Sequence, residues 1–158
     1  MSRPALLLSN QLCFLVYRLE RQIVSRYRPL LANLDLTYPQ YLVMLALWER
    51  DDRTIGELCR ALDLETGTLS PLLKRLERRG LLTRTRSRAD ERSVRVMLSP
   101  RGKALEVRAA TVPAALASCL GITVEEREGL FRLIARTLDR LEVAKKVSAG
   151  GDFPSSEA

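Results

Sequence analysis

The stretch from Ile55 to Leu98 constrains the fold more than any other part of this 158-residue chain. Ile55, Leu58, Cys59 and Leu62 recur at i, i+3, i+4 and i+7, the spacing that lines apolar side chains along one face of a helix. Leu69, Leu72, Leu73 and Leu76 repeat the pattern. The face opposite that second leucine set carries Gly67, Pro71, Lys74 and Arg78, with Thr68, Ser70 and Arg75 on its flanks. Hydroxyls and cations without carboxylates suit base edges and phosphates. Gly80 is a helix stop. Leu82 to Arg86 and Ser93 to Leu98 read as strands, with Val94, Val96 and Leu98 alternating against Arg95 and Met97. Between them Ser87 to Arg92 is too polar to bury. Helix, helix and arginine-rich hairpin, in that order, predict a winged helix-turn-helix. One boundary stays open: Ser70-Pro71 has the form of an N-cap and first-turn proline, which would start the second helix later than Thr66.

Charge agrees with that surface. The chain holds 26 Lys and Arg against 19 Asp and Glu, a formal charge of +7, which suits an anionic partner such as nucleic acid. It has no histidine, which removes His-based acid/base catalysis, Ser-His-Asp triads and His-containing zinc sites. The cysteines Cys13, Cys59 and Cys119 lack metal-ligand spacing. An odd, sparse set fits a reducing compartment. The apolar run Ala5 to Leu8 is interrupted too soon for a signal peptide or a membrane span. The expectation is a cytoplasmic protein with no metal, no cofactor and no membrane partner.

Around the central segment the chain reads as helices. From about Ser9 to Leu31, the positions Leu12, Leu15, Val16, Leu19 and Ile23 form one apolar stripe, and Cys13, Tyr17, Val24, Tyr27 and Leu31 form a second beside it. Two stripes need cover on more than one side, and a second subunit is a natural source of it. Tyr38-Pro39 opens a helix with Tyr41, Leu42, Leu45 and Trp48 on its buried side. Ser99-Pro100 starts another through Leu105, Val112, Leu116 and Cys119, with a kink expected at Pro113. Thr123 to Glu126 has capping-box spacing for a last helix carrying Leu130, Leu133, Ile134, Leu138 and Leu141. The fold class is therefore mainly α with a small β-hairpin wing. Its predicted organisation is an N-terminal helix over residues 1–36 for dimerisation and sensing, a winged helix-turn-helix over 37–98, C-terminal dimerisation helices over 99–147, and a disordered polar tail over 148–158.

This order of elements resembles the MarR family of dimeric winged-helix repressors. Leu12-Cys13-Phe14, Tyr27-Arg28-Pro29-Leu30-Leu31, Leu36 to Leu42 and Gly67 to Arg75 are similar to the organic-hydroperoxide-sensing (OhrR) branch. The resemblance implies that Cys13 is the peroxide sensor, that Tyr27 and Tyr38 hydrogen-bond it, and that Asp90 and Arg92 form the wing-tip motif that enters the minor groove. It also places Cys119 where some members of the branch carry a resolving thiol, whereas others use small external thiols. The DNA-contacting set is then Thr66, Thr68, Ser70, Lys74, Arg75, Arg78, Arg84, Arg86, Arg88, Asp90 and Arg92.

Helix geometry tests the tyrosine assignment. Fourteen residues of helix separate Cys13 from Tyr27, about 21 Å at the usual rise, so the two cannot meet within one chain. Two first helices crossing antiparallel near Glu20 would bring Cys13 of one opposite Tyr27 of the other. A helix N-terminus and phenol donors favour the reactive thiolate at Cys13, whereas the helix C-terminus disfavours it at Cys119. Cys59, on the leucine face, reads as inert packing. The expected partners are an operator duplex, a second copy of the chain and an organic hydroperoxide as effector. The alternatives are a MarR-type repressor released by a lipophilic or phenolic ligand, with Cys13 a spectator, and a thiol peroxidase. For the enzyme the chain supplies no substrate-positioning arginine cluster around a cysteine.

Overall fold

The structure is a computed structural model that describes residues 4–86 and 94–149. Two short 3-10 turns, Pro4–Leu6 and Leu8–Asn10, lead into α1 (Leu12–Ala32). The helix thus begins three residues beyond Ser9, because Gln11 is extended and its amide side chain donates back to the carbonyls of Ala5 and Leu7. Helix α2 (Tyr38–Glu49) opens behind Thr37, whose backbone N–H donates to Gln40 Oε1 at 2.9 Å. Gln40, Tyr41, Val43, Met44, Ala46 and Leu47 are all buried. The stripe read from the sequence is too narrow here, since Leu45 is exposed while Val43 and Met44 are sealed. Helix α2 lies at the centre of the core, and a helix covered on several sides has no need of a single apolar face.

A two-residue strand β1 (Arg53–Thr54) precedes α3 (Ile55–Leu62), which is capped by a reciprocal pair between Thr54 and Glu57. Helix α4 (Thr66–Arg78) starts at Thr66 with Pro71 inside it, which closes the boundary left open at Ser70. Leu69, Leu73 and Leu76 are completely buried. The helix ends at Gly80, whose φ of 67° is a left-handed stop, with Leu81 N–H returning to the Leu76 carbonyl at 3.1 Å.

Strands β2 (Leu82–Arg86) and β3 (Val94–Leu98) form the hairpin, pairing Leu82 with Leu98 and Arg86 with Val94. Strand β1 adds to the other edge of β3, giving the antiparallel order β1-β3-β2. This third strand has too few residues to show a period, and only its tertiary pairing defines it. The Ser87 to Arg92 loop, with Arg88, Asp90 and Arg92, lies outside the described residues, as does Ser93.

Ser99 caps α5 (Pro100–Ala109) by accepting from Gly102 N–H at 3.0 Å. The approach to β2 is so close that a Cβ on Gly102 would stand 2.0 Å from the Leu81 carbonyl oxygen. Pro113 does not kink one continuous helix. The chain breaks at Ala110–Thr111, and α6 (Val112–Leu120) begins with Pro113 in its first turn, where a proline needs no N–H partner.

The chain divides into two compact units, the first ending at Leu120 and the second starting at Gly121. The second holds α7 (Val124–Ala149), capped as its sequence predicts by Thr123 and Glu126. Helix α7 includes Ser148 and Ala149, two residues assigned to the tail from sequence; residues 150–158 lie outside the described part. Among the described residues no single helix is long and apolar enough to cross a membrane.

Candidate DNA interface and thiol site

Burying three leucines on one side of α4 turns its other side outward by geometry alone. Thr66, Thr68, Lys74, Arg75 and Arg78 are exposed and Ser70 is half-buried. Side-chain pairing among the described residues engages none of Lys74, Arg75 and Arg78, so their charge is available to an anion. Arg84 differs. Its backbone N–H donates to Glu77 Oε1 at 3.1 Å, and its guanidinium donates to Glu77 Oε2 from Nε at 2.9 Å and Nη2 at 2.6 Å. This pairing ties β2 to the end of α4, and the same bond holds the Glu77 carboxyl below the usual carboxylate range. Arg86, two residues on, is exposed.

The base of the wing is anchored by carboxylates that sequence patterning passes over. Asp52, in a left-handed conformation at φ 57°, accepts Arg95 Nε at 2.7 Å, and its carbonyl accepts Arg95 Nη2 at 2.9 Å. Asp51 accepts Leu98 N–H at 2.8 Å and pairs with Lys103 Nζ at 3.1 Å. Partial burial pushes the Asp51 carboxyl upward, but the Leu98 and Asp52 amides and Lys103 outweigh it and hold it low. Residues 43 or more positions apart carry these bonds, so no local motif announces them.

At the other end of the unit, Tyr27 of α1 and Tyr38 of α2 pack with ring centroids 4.7 Å apart and planes tilted by 37°, and Tyr41 lies 5.8 Å from Tyr27. Burial, followed by the neighbouring phenols of Tyr38 and Tyr41, pushes the Tyr27 hydroxyl up to about 12. Burial, with the Glu20 carboxylate nearby, raises Tyr38 as well. Both are therefore neutral phenols, able to donate a hydrogen bond, at any ordinary pH. Tyr38 opens onto a cleft of about 620 Å³ between α1 and the start of α2, lined also by Tyr17, Glu20, Arg21 and Val24.

Cys13 is the second residue of α1 and is exposed, as are Leu12 (73%), Leu15 (52%) and Val16 (57%) around it. Within one protomer it is far from the tyrosine pair that the family resemblance assigns to it. Cys119 is exposed next to the end of α6, and its backbone carbonyl accepts Arg26 Nε at 3.3 Å. Cys119 thus lies beside the tyrosine end of α1, about 20 Å along that helix from Cys13 of the same chain. Cys59 is half-buried rather than sealed, with its Sγ 3.7 Å from Thr66 Oγ1. No group of three or more Cys, Asp or Glu suited to a metal occurs among the described residues.

A basic, hydroxyl-bearing helix presented beside a three-stranded wing defines a winged-helix DNA-binding regulator. Comparison with known proteins agrees. The family model "Transcriptional regulator SarA/Rot" matches residues 20–106. The organic hydroperoxide resistance transcriptional regulator of Bacillus subtilis is 43% identical over 135 residues, covering 85% of this chain and 90% of that protein. Among solved structures, AbfR of Staphylococcus epidermidis is 37% identical with a TM-score of 0.68, covering 85% of this chain and 92% of that one. AbfR has also been solved reduced on DNA, overoxidized on DNA and in a disulfide-formed state. The repressor CouR bound to a 23-mer DNA duplex is 27% identical with a TM-score of 0.77, over 87% of this chain and 99% of that one. The chain belongs to the MarR family of winged-helix transcriptional regulators and is OhrR-like within it.

Proposed function

We propose that this DNA-binding regulator is a peroxide-sensing repressor whose reduced homodimer holds a pseudo-palindromic operator and lets go when Cys13 is oxidised by an organic hydroperoxide. The observation that carries the proposal is the packed Tyr27–Tyr38 pair beside an open cleft, with its phenols protonated and Cys13 of the same chain out of reach along α1. Antiparallel crossing of two α1 helices would bring the partner's Cys13 to those phenols. The exposed leucines and valine around Cys13 supply the apolar surface that such a crossing would bury.

In the reduced dimer, α4 enters the major groove through Thr66, Thr68, Ser70, Lys74, Arg75 and Arg78. The wing, with Arg86, Arg88, Asp90 and Arg92, follows the flanking minor groove, and half-sites lie about one helical turn apart. The Cys13 thiolate attacks the terminal peroxide oxygen, the O–O bond breaks, and the alkoxide leaves with a proton as an alcohol. The product at sulfur is a sulfenic acid. A second thiol then displaces hydroxide, which leaves as water, and a disulfide forms. Cys119 is the resolving thiol in this scheme, because its place beside Arg26 puts it at the tyrosine end of α1 where the partner's Cys13 arrives. The regulator has no catalytic turnover of its own. Its compartment is the reducing cytoplasm that three free thiols suit.

A mobility-shift titration decides the proposal. Reduced wild type should bind its operator, release it with organic hydroperoxide and rebind after dithiothreitol. Cys13→Ser should stay bound in peroxide. Release of Cys13→Ser by peroxide, or release of both proteins by a phenolic ligand alone, overturns the redox reading and leaves a ligand-responsive repressor. On non-reducing gels, a peroxide-induced dimer band that persists in Cys119→Ser removes Cys119 as the resolving thiol.

A further inference from the structure

A second cleft, of about 580 Å³, lies where the end of α1 meets the start of α2 and the last turns of α4. Arg28 of α1 and Arg75, Arg78 and Arg79 of α4 line it, together with Asp35 and Thr37. Arg79 is neutralised: its Nη2 pairs with Asp35 Oδ2 at 2.8 Å, and its guanidinium also donates to the carbonyls of Leu34 and Asp35. Asp35 is the one acidic residue lining the cleft, and it is already taken. Arg28, Arg75 and Arg78 have no hydrogen-bond or ion-pair partner for their guanidinium groups among the described residues. Three unpaired cations converging on one concavity repel one another until an anion sits among them.

We infer that this cleft takes a backbone phosphate of the bound DNA, and that Arg28 is a DNA contact supplied by α1 rather than by the recognition helix or the wing. The planar, multidonor guanidinium is the group suited to a phosphodiester. Two of the three free arginines stand on α4, the helix that faces DNA, so an anion that reaches them is most simply part of the duplex. Arg28, Leu36 and Thr37 also line the tyrosine cleft. The wall that touches the phosphate is thus shared with the pocket around Tyr38. The inference rests on the DNA-binding class of the protein and is independent of redox sensing.

The test measures the anisotropy of a labelled duplex, enriched from a randomised pool by the wild-type protein, against salt concentration. Arg28→Gln should weaken binding about tenfold and lower the slope of log K on log salt by about 0.9 per protomer. Arg28→Lys should retain the slope. Arg18→Gln removes an exposed charge elsewhere on α1 and should match wild type. Calorimetric titration with inorganic phosphate, without DNA, is the second arm. Equal effects of Arg28→Gln and Arg18→Gln, an Arg28→Gln slope equal to wild type, or uptake of free phosphate with an unchanged DNA slope would each overturn the contact. Failure of wild type to enrich any duplex would instead sink DNA binding itself. Circular dichroism melting of Arg28→Gln should match wild type, since that side chain bonds to none of the described residues.

Discussion

Helices α4 and α1 carry the same kind of pattern, leucines at helical spacing with charges between them, and the protomer uses them in opposite ways. In α4 the leucines Leu69, Leu73 and Leu76 are fully buried and the exposed face is hydroxyls and cations. In α1 the leucines and valine of the first turns are left in the open, and only Leu31 near the far end is sealed. An apolar face that finds cover within the chain leaves its polar face free for DNA. One that finds none is a surface for another protein, here proposed to be a second copy of α1.

That contrast can be broken by substitution. Leu73→Ala, in the sealed face, should cost about 2–5 kcal/mol through lost transfer energy and a cavity. Thermal melting should show the loss at every protein concentration. Leu15→Ser, in the open face, should leave monomer spectra intact and make the melting temperature fall on dilution, as expected when association carries the stability. Equal, concentration-independent losses for both would mean that α1 is covered within its own chain.

Gly102→Ala tests how tightly the DNA-binding lobe is closed. A methyl 2.0 Å from the Leu81 carbonyl oxygen forces α5 away from β2, for a loss of about 1–3 kcal/mol or more in denaturant melts. No position on the exposed turns of α1 should show this sensitivity to one methyl group. Tyr27→Phe removes a phenol donor from the proposed sensor. The thiolate should then lose a charged hydrogen bond, and sulfenate formation should slow roughly tenfold, read by dimedone trapping. Reduced DNA binding should stay at the wild-type level.

The smallest effect is one of pH. The folded value of Tyr27, about 12, stands above its ordinary value of 10.0, so its contribution to stability is fully present below pH 10 and is lost as pH rises through 12. Tyrosinate absorbance should show a late component that is smaller in Tyr27→Phe than in wild type, because Tyr38 and Tyr41 are raised too. A late component of equal size in both proteins would mean that the Tyr27 phenol is open to water.

Much of the lobe was legible because its signals are local. Periodicity marked α3 and α4, alternation marked β2 and β3, and Ser99 and Thr123 announced two helix starts by side-chain hydrogen bonds that reach only three residues. Patterning failed where cover comes from elsewhere. Helix α2 looked one-sided and proved central, with Val43 and Met44 sealed and Leu45 open. No local pattern announced the bond from Arg84 to Glu77.

The order of residues by itself determined the helices and the hairpin of the DNA-binding lobe, which side of α4 is chemically fit for phosphate, and that Cys13 lies too far along α1 to touch Tyr27. Only the folded chain decided that Tyr27 and Tyr38 pack together, that β1 joins the wing, and that Arg28 shares a cleft with the recognition helix. The reason is range. Backbone propensity and side-chain period act over a few residues, whereas stacking, strand pairing and charge convergence depend on which distant surfaces the buried leucines draw together.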